Sequence, residues 1–533
     1  MNSFNNKRIL VVCKETFSYP LQFLVRKWQA NNTVAAFFFN PCETKYSKCI
    51  LNEITYYAYK DIPGLKLYTS DTIADEFTEK LNSNDICDQE MLDMIEKQYT
   101  YFQNVNNQII STQFLTRHYH FRNYMHPCTY VQQLNWLILN YKNVISLINE
   151  FKPDVVVDTD NAELARTILR EVCHKQRIPY INIDYPRYEF YKLYSGNLNL
   201  KYSDIFYDTY TKYLNGQESE LKEGFDYIEE FRNKTFIMHA MYKGDVTAQY
   251  RPDSILTSIN RVYGMARYFL SQDKAGNNKA IKKSNPILYP DSKEYVRFYF
   301  NFELNKQRLL RANKYFSAPE KVKYVYMPLP LIPESTTFSV SPMYVNELTI
   351  IEAVSKSLPA GWWLYVKEHQ AMVGERGVEF YEKANRLPNV KMVQLNYYED
   401  PKPWISNSQG VVTISGTTAY EAALMGKHSI LFADTPFSLI EGIQRLKSFE
   451  DLPAAFREFN KPLDNKKSCA AYIEAVKVLG YPINLKLLLN KGEKILRGTE
   501  LLDEEYQINL NLLEQLFVDG YNNFKLQSYL NMG

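Results

Sequence analysis

WWLYVKEH at 362–369, NVKMVQ at 389–394 and GVVTISGTTAYEAALMGKHSILF at 410–432 decide how this chain is read. They carry three apolar, β-branched runs that end in polar or small residues, with helical-length segments between them. That is the pattern of βαβ units in a parallel sheet, whose strands are buried on both faces. Ligands of open α/β sheets bind beyond the carboxyl ends of the strands. Two of these ends carry residues able to do chemistry: Lys367-Glu368-His369, and Ser415-Gly416-Thr417-Thr418 opening a helix that contains Glu421.

The second cluster predicts a phosphate site. Backbone N–H groups at a helix start favour an anion, Gly416 allows close approach, and the hydroxyls of Ser415, Thr417 and Thr418 add donors. Glu421, about one turn further in, can accept from ribose or sugar hydroxyls. An ordinary capped helix with Gly426 as its stop accounts for the same residues. In the first cluster, His369 can donate a hydrogen bond or proton to a leaving phosphate, with Lys367, Arg376 or Lys427 neutralising charge. This arrangement needs no metal and no cofactor other than an activated donor.

Outward from that centre, 533 residues imply two to four domains. With 62 basic and 60 acidic residues the net charge is +2, which gives no global field for nucleic acid. Seven scattered cysteines without a CxxC pair fit a reducing compartment. The start, MNSFNNKRILVV, runs from a polar leader into a strand, and no apolar run reaches the ~20 residues of a membrane span. The expectation is a cytoplasmic protein, with peripheral contact to the inner membrane left open.

KRILVVC at 7–13, a helix over PLQFLVRKWQ and TVAAFFF at 33–39 begin an α/β domain without a glycine-rich dinucleotide fingerprint. His118, His120 and His126 lack ligand spacing and read as ordinary histidines. KPDVVVDTD at 152–160, a helix capped by Asn161 and IPYINID at 178–184 form a further βαβ unit. It puts Asp158, Asp160 and Glu163 at one strand end and Asp184 at the next, as a base, a nucleophile or simple turn caps. Residues 188–318 read as a helical insertion, with Lys279, Lys282 and Lys283 in a polar loop. The expected division is an N-terminal α/β domain over 1–320, a second over 321–482, and a helical tail over 483–533 that crosses back.

PLPLIPEST at 328–336, the helix and strand of 346–369, GERGVEFYEKANRLPNVKMV at 374–393 and TISGTTAYEAALMGK at 413–427 resemble the C-terminal half of the bacterial capsule polysaccharide biosynthesis family. That family includes transferases of 3-deoxy-manno-octulosonic acid (Kdo) from a CMP-linked donor. The resemblance implies a GT-B arrangement: two Rossmann-like α/β domains facing across a cleft, the C-terminal one holding the nucleotide. His369 matches the family's His-Pro motif, Ser415, Gly416 and Thr417 its phosphate-binding helix start, Glu421 the following acid, and Glu334 an acid near the cleft. Gln370 departs from the pattern, standing where the family has proline, which would stiffen the loop.

The expectation is transfer of a CMP-activated acidic sugar onto a capsule or lipopolysaccharide glycan or glycolipid, with Asp160 or Asp158 as base or nucleophile. Capsule-assembly proteins are expected partners, and nucleic acid is not. A UDP-sugar epimerase or hydrolase, a CDP-polyol phosphotransferase, and a non-enzymatic carbohydrate-assembly protein remain as alternatives.

Overall fold

Strands β1 (Arg8–Cys13), β2 (Thr33–Phe38), β3 (Lys66–Thr69), β4 (Val155–Asp158) and β5 (Tyr180–Asp184) pair in parallel in the order β3-β2-β1-β4-β5. β6 (Tyr191–Ser195) then turns back antiparallel to β5. A second sheet is wholly parallel: β7 (Tyr324–Pro328), β8 (Trp363–Lys367), β9 (Val390–Met392), β10 (Gly410–Thr413), β11 (Ser429–Leu431) and β12 (Ile443–Arg445), in the order β9-β8-β7-β10-β11-β12. Both are doubly wound. The chain fills one side of the central strand and then the other, leaving a crevice at the reversal, between β1 and β4 and between β7 and β10. This is the two-unit α/β architecture of the GT-B type. The computed structural model describes residues 3–39, 42–43, 53–80, 87–100, 104–111, 129–160, 163–195, 202–233, 252–274, 292–312, 314–332, 335–338, 340–395, 397–398 and 401–524.

Strand alternation explains how each sheet is covered. Leu10, Val12 and Val156 face one way, into a core shared with the helices Tyr130–Phe151 and Leu164–Lys175. Their neighbours Ile9, Val11, Val155 and Val157 face the other way, against the helix Tyr19–Trp28 and the C-terminal helix Glu504–Asn522. The tail is therefore one of the two covers of the first sheet. Glu514 anchors it by accepting from Trp28 Nε1 at 3.0 Å and Ser3 Oγ at 2.9 Å. The last strand, β13 (Tyr481–Pro482), pairs with β6 and makes the crossing.

The segment expected as a helical insertion opens on strand β6 before its helices. Its first two helices, Asp204–Asn215 and Lys222–Asn233, pack against Lys466–Leu479 of the second unit. At Gly224 a Cβ would stand 2.6 Å from the Ala470 carbonyl oxygen, so only glycine lets these two helices meet. Arg232 Nε donates to the Leu424 carbonyl at 2.8 Å. The helices Ile255–Lys274 and Ser292–Ala312 lie along one another. Glu334, Asn161, His118, His120, His126, Lys279, Lys282 and Lys283 lie outside the described residues. Among the described residues, no helix is long and apolar enough to cross a membrane, and no cluster of His, Cys, Asp and Glu could hold a metal ion.

Candidate active site

β8 and β10 both neighbour β7, so the residues that follow them straddle the crevice of the second sheet. After β8, His369 takes extended backbone and begins a single 3-10 turn, Gln370–Met372. Its Nδ1 accepts from the Ala371 N–H at 3.2 Å. That bond assigns the ring proton to Nε2, which has no partner among the described residues. Burial first, then the charges of Arg376 and Lys367, hold the imidazole down at about 4, so it is a neutral donor at neutral pH. Burial likewise holds Lys367 down at about 8. Gln370, which replaces the expected proline, is 7% exposed.

After β10, Ser415, Gly416, Thr417 and Thr418 are half-buried at the start of the helix Thr418–Leu424. Thr413 Oγ1 accepts from the Gly416 N–H at 3.1 Å. A Cβ on Gly416 would fall 2.5 Å from that oxygen, which is why the turn takes glycine. No side chain caps the helix start. Thr417 Oγ1 lies 3.5 Å from Glu421 Oε1, a long contact that ties the acid to the same turn.

Two expected neutralisers lie elsewhere. Arg376 is fully buried and is bonded to Glu347 and Glu368, with Nε 3.2 Å from Glu347 Oε2. Glu368 also accepts from Tyr381 Oη at 2.6 Å. Arg376 thus closes a core ion cluster and cannot reach a phosphate; its charge acts on the site only through the imidazole. Burial, opposed by Arg376 and reinforced by Glu368, pushes Glu347 up to about 7. Lys427 donates to the Ser408 carbonyl at 2.9 Å, at the amino ends of β10 and β11. It sits on the edge of the sheet opposite the crevice.

In the first unit, Asp158 ends β4 and is fully buried. Arg166 grips it through Nε to Oδ2 at 2.8 Å and Nη2 to Oδ1 at 2.9 Å, and Tyr180 Oη donates at 2.6 Å. Burial pushes its carboxyl up, against the opposing pull of Arg166. With both oxygens engaged and no exposed surface, Asp158 is not available as base or nucleophile. Asp160 is held less completely: Arg166 Nη1 holds its Oδ2 at 2.9 Å, its Oδ1 has no partner among the described residues, and its side chain is 19% exposed. Glu163, at φ 83, forms an ion pair with Lys14 from the end of β1.

The helix Lys466–Leu479 also meets the turn that follows β5. Tyr472 Oη donates to the Pro186 carbonyl at 3.0 Å. The Tyr227 phenol is pushed up to about 12 by burial first and then by Glu189, and it also feels Glu421. Sequence reading missed Arg166, Glu347, Tyr180, Tyr381 and Tyr227. An arginine eight residues after a strand-end acid signals the two clusters, whereas nothing local signals Tyr227.

No family model matches the chain, and no curated protein matches it. Solved structures with a similar course include the Kdo 2,4 transferase KpsC of Thermosulfurimonas dismutans, at 12% identity and a TM-score of 0.29 over 60% of this chain and 79% of that one. They also include the UDP-GlcNAc 2-epimerase of Methanocaldococcus jannaschii, at 10% identity and a TM-score of 0.23 over 88% and 98%. MnaA of S. aureus, solved with UDP, has 10% identity and a TM-score of 0.24 over 88% and 91%. Scores this low leave any functional reading to rest on the chain's own residues.

Proposed function

We propose that the protein is a glycosyltransferase that moves a sugar from a nucleotide donor, CMP-linked and acidic in our reading, onto a capsule or lipopolysaccharide acceptor. The observation that carries this is the neutral His369 at the carboxyl end of β8, its Nδ1 taken by the Ala371 N–H so that Nε2 keeps the proton, with the Ser415–Thr418 turn following β10 on the other side of β7. A donor fixed at the position of a leaving phosphate stabilises the charge that develops as the glycosidic bond breaks, without reorganisation. The hydroxyls and amides of Ser415, Thr417 and Thr418 share that charge, Lys367 adds to the field, and Glu421 holds a ribose or sugar hydroxyl. On the acceptor side Asp160 serves as the base, with Arg166 and Asp158 as positioning residues that fix its orientation. No metal or other cofactor enters the reading. It places the enzyme in the cytoplasm, in peripheral contact with the inner membrane.

Release of CMP, UDP or UMP from a panel of nucleotide sugars tests the proposal, with His369→Ala as the control. Transfer from a CMP-sugar, lost by about 10²-fold or more in a variant that stays folded, is the expected result. Full activity in that variant sinks it, and turnover of a UDP-sugar alone transfers the site to epimerase or hydrolase chemistry.

A further inference from the structure

The turn from β5 to β6 and the start of β6 carry two cations that the mechanism above does not use. Arg187 and Lys192 both lie against the ring of Tyr185, with the guanidinium carbon 5.8 Å and the ammonium 5.4 Å from its centroid. Lys192 is 7% exposed. Its Nζ donates to the carbonyls of Phe190 at 2.8 Å and Tyr191 at 3.3 Å, which leaves its third N–H. Arg187 sits at φ 69, a region that costs an L residue energy, and its Nε is buried with no partner. Neither forms an ion pair among the described residues. A buried ammonium and a half-buried guanidinium in each other's field are unfavourable unless an anion joins them. Burial and then the charge of Arg187 hold Lys192 down at about 8.

The place of this turn matters as much as its charge. It follows β5, the neighbour of the strand that ends in Asp158. Burial first and then the charge of Asp160 push the Tyr185 phenol up, so the ring feels the proposed base. Pro186 accepts the bond from Tyr472 of the second unit, and Glu189 shares Tyr227 with Glu421. The cations therefore stand on and just after a turn that meets the second unit through the Pro186 carbonyl.

We propose that Arg187, Lys192 and Tyr185 form an anion subsite that takes the carboxylate or phosphate of a sugar substrate. It rests on the reading of the junction as a sugar-nucleotide site. The planar guanidinium pairs with either oxyanion through two N–H groups, Lys192 adds a point charge, and the ring fixes both.

Calorimetric titration of the full chain with Kdo, inorganic phosphate and neutral D-mannose tests the subsite, and CMP and UDP are titrated separately. The wild type binds Kdo or phosphate in a salt-sensitive manner and does not bind mannose. Tighter Kdo binding assigns a carboxylate, and tighter phosphate binding a phosphoryl group. Arg187→Gln and Lys192→Met each weaken the anion by about tenfold or more, with nucleotide affinity and melting temperature unchanged, and Arg187→Lys restores part of it. Should Lys192→Met fail to fold, the partly exposed Arg187 carries the test alone. Absence of anion binding in the wild type, or equal binding by folded variants, overturns the subsite. Anion binding lost in the variants of a protein that binds neither nucleotide supports the subsite and removes the transferase reading.

Discussion

Each unit of the molecule holds an arginine between two carboxylates beyond a strand's carboxyl end, with a tyrosine as the third donor. In the first, Arg166 joins Asp158 and Asp160 while Tyr180 donates to Asp158. In the second, Arg376 joins Glu347 and Glu368 while Tyr381 donates to Glu368. The arginine follows its strand-end acid by eight residues in both. The clusters differ in closure. Glu347 and Glu368 are 2% and 1% exposed, whereas the Asp160 side chain reaches 19%. A closed cluster holds the shape of its loop, which here is the loop that carries His369. An open one holds its loop and also offers a carboxylate oxygen to a substrate.

The largest effect expected from this contrast is on stability. Arg376→Met leaves two buried carboxylates uncompensated and should cost ~3–5 kcal/mol, read from the denaturant midpoint. A loss as small as that of a surface substitution would mean that the cluster is not closed. Next comes Asp160→Asn, which should lower transfer ~10²–10⁴-fold while the melting temperature hardly moves. Asp158→Asn should show the reverse weighting, with stability falling first. Equal behaviour of the two aspartates would erase the distinction between an exposed and a buried member.

Smaller still is the loss of each tyrosine hydroxyl. Tyr381→Phe and Tyr180→Phe should each cost ~1–3 kcal/mol, because each leaves a buried carboxylate oxygen without its donor. Only Tyr180→Phe should also alter kcat, through Asp158 and Arg166. The smallest effect is acid sensitivity. His369 titrates at about 4 in the fold against an ordinary 6.5, so the unfolded chain takes up the proton first. Its contribution to stability is present above 6.5 and is lost as pH falls towards 4. Arg376 and Lys367 remain charged throughout that window. His369→Gln should therefore flatten the melting-temperature profile over the same range, and an unchanged profile would place the imidazole in water.

Much of the architecture was legible because strands buried on both faces must be continuous apolar runs. KRILVVC, DVVVD, YVYM, WLYV and GVVT each say so locally, and they became the central strands of the two sheets. Short edge strands were not legible. Lys66–Thr69 and Tyr481–Pro482 have partners on one side only, so their residues carry a weak pattern. Within the candidate site, Ser415–Thr418 and His369 could be picked out because a strand end followed by small or polar residues is a local signature. Arg376 and Lys427 were misplaced for the opposite reason. A charged residue near a motif in sequence points wherever its own partners lie, and Glu347 and the Ser408 carbonyl lie away from the crevice.

The sequence by itself determined the alternation of strands and helices in the two units, the glycine turn at Ser415–Thr418 and the histidine-bearing strand end, all of which are local patterns. Only the tertiary structure decided which aspartate is exposed, which edge of the sheet Lys427 occupies, and which face of the first sheet the returning last helix covers. It also decided that the turn holding Arg187 meets Tyr472 of the second unit. Those outcomes depend on burial and on pairs separated by a large part of the chain, and no local pattern encodes which distant surface a side chain will find.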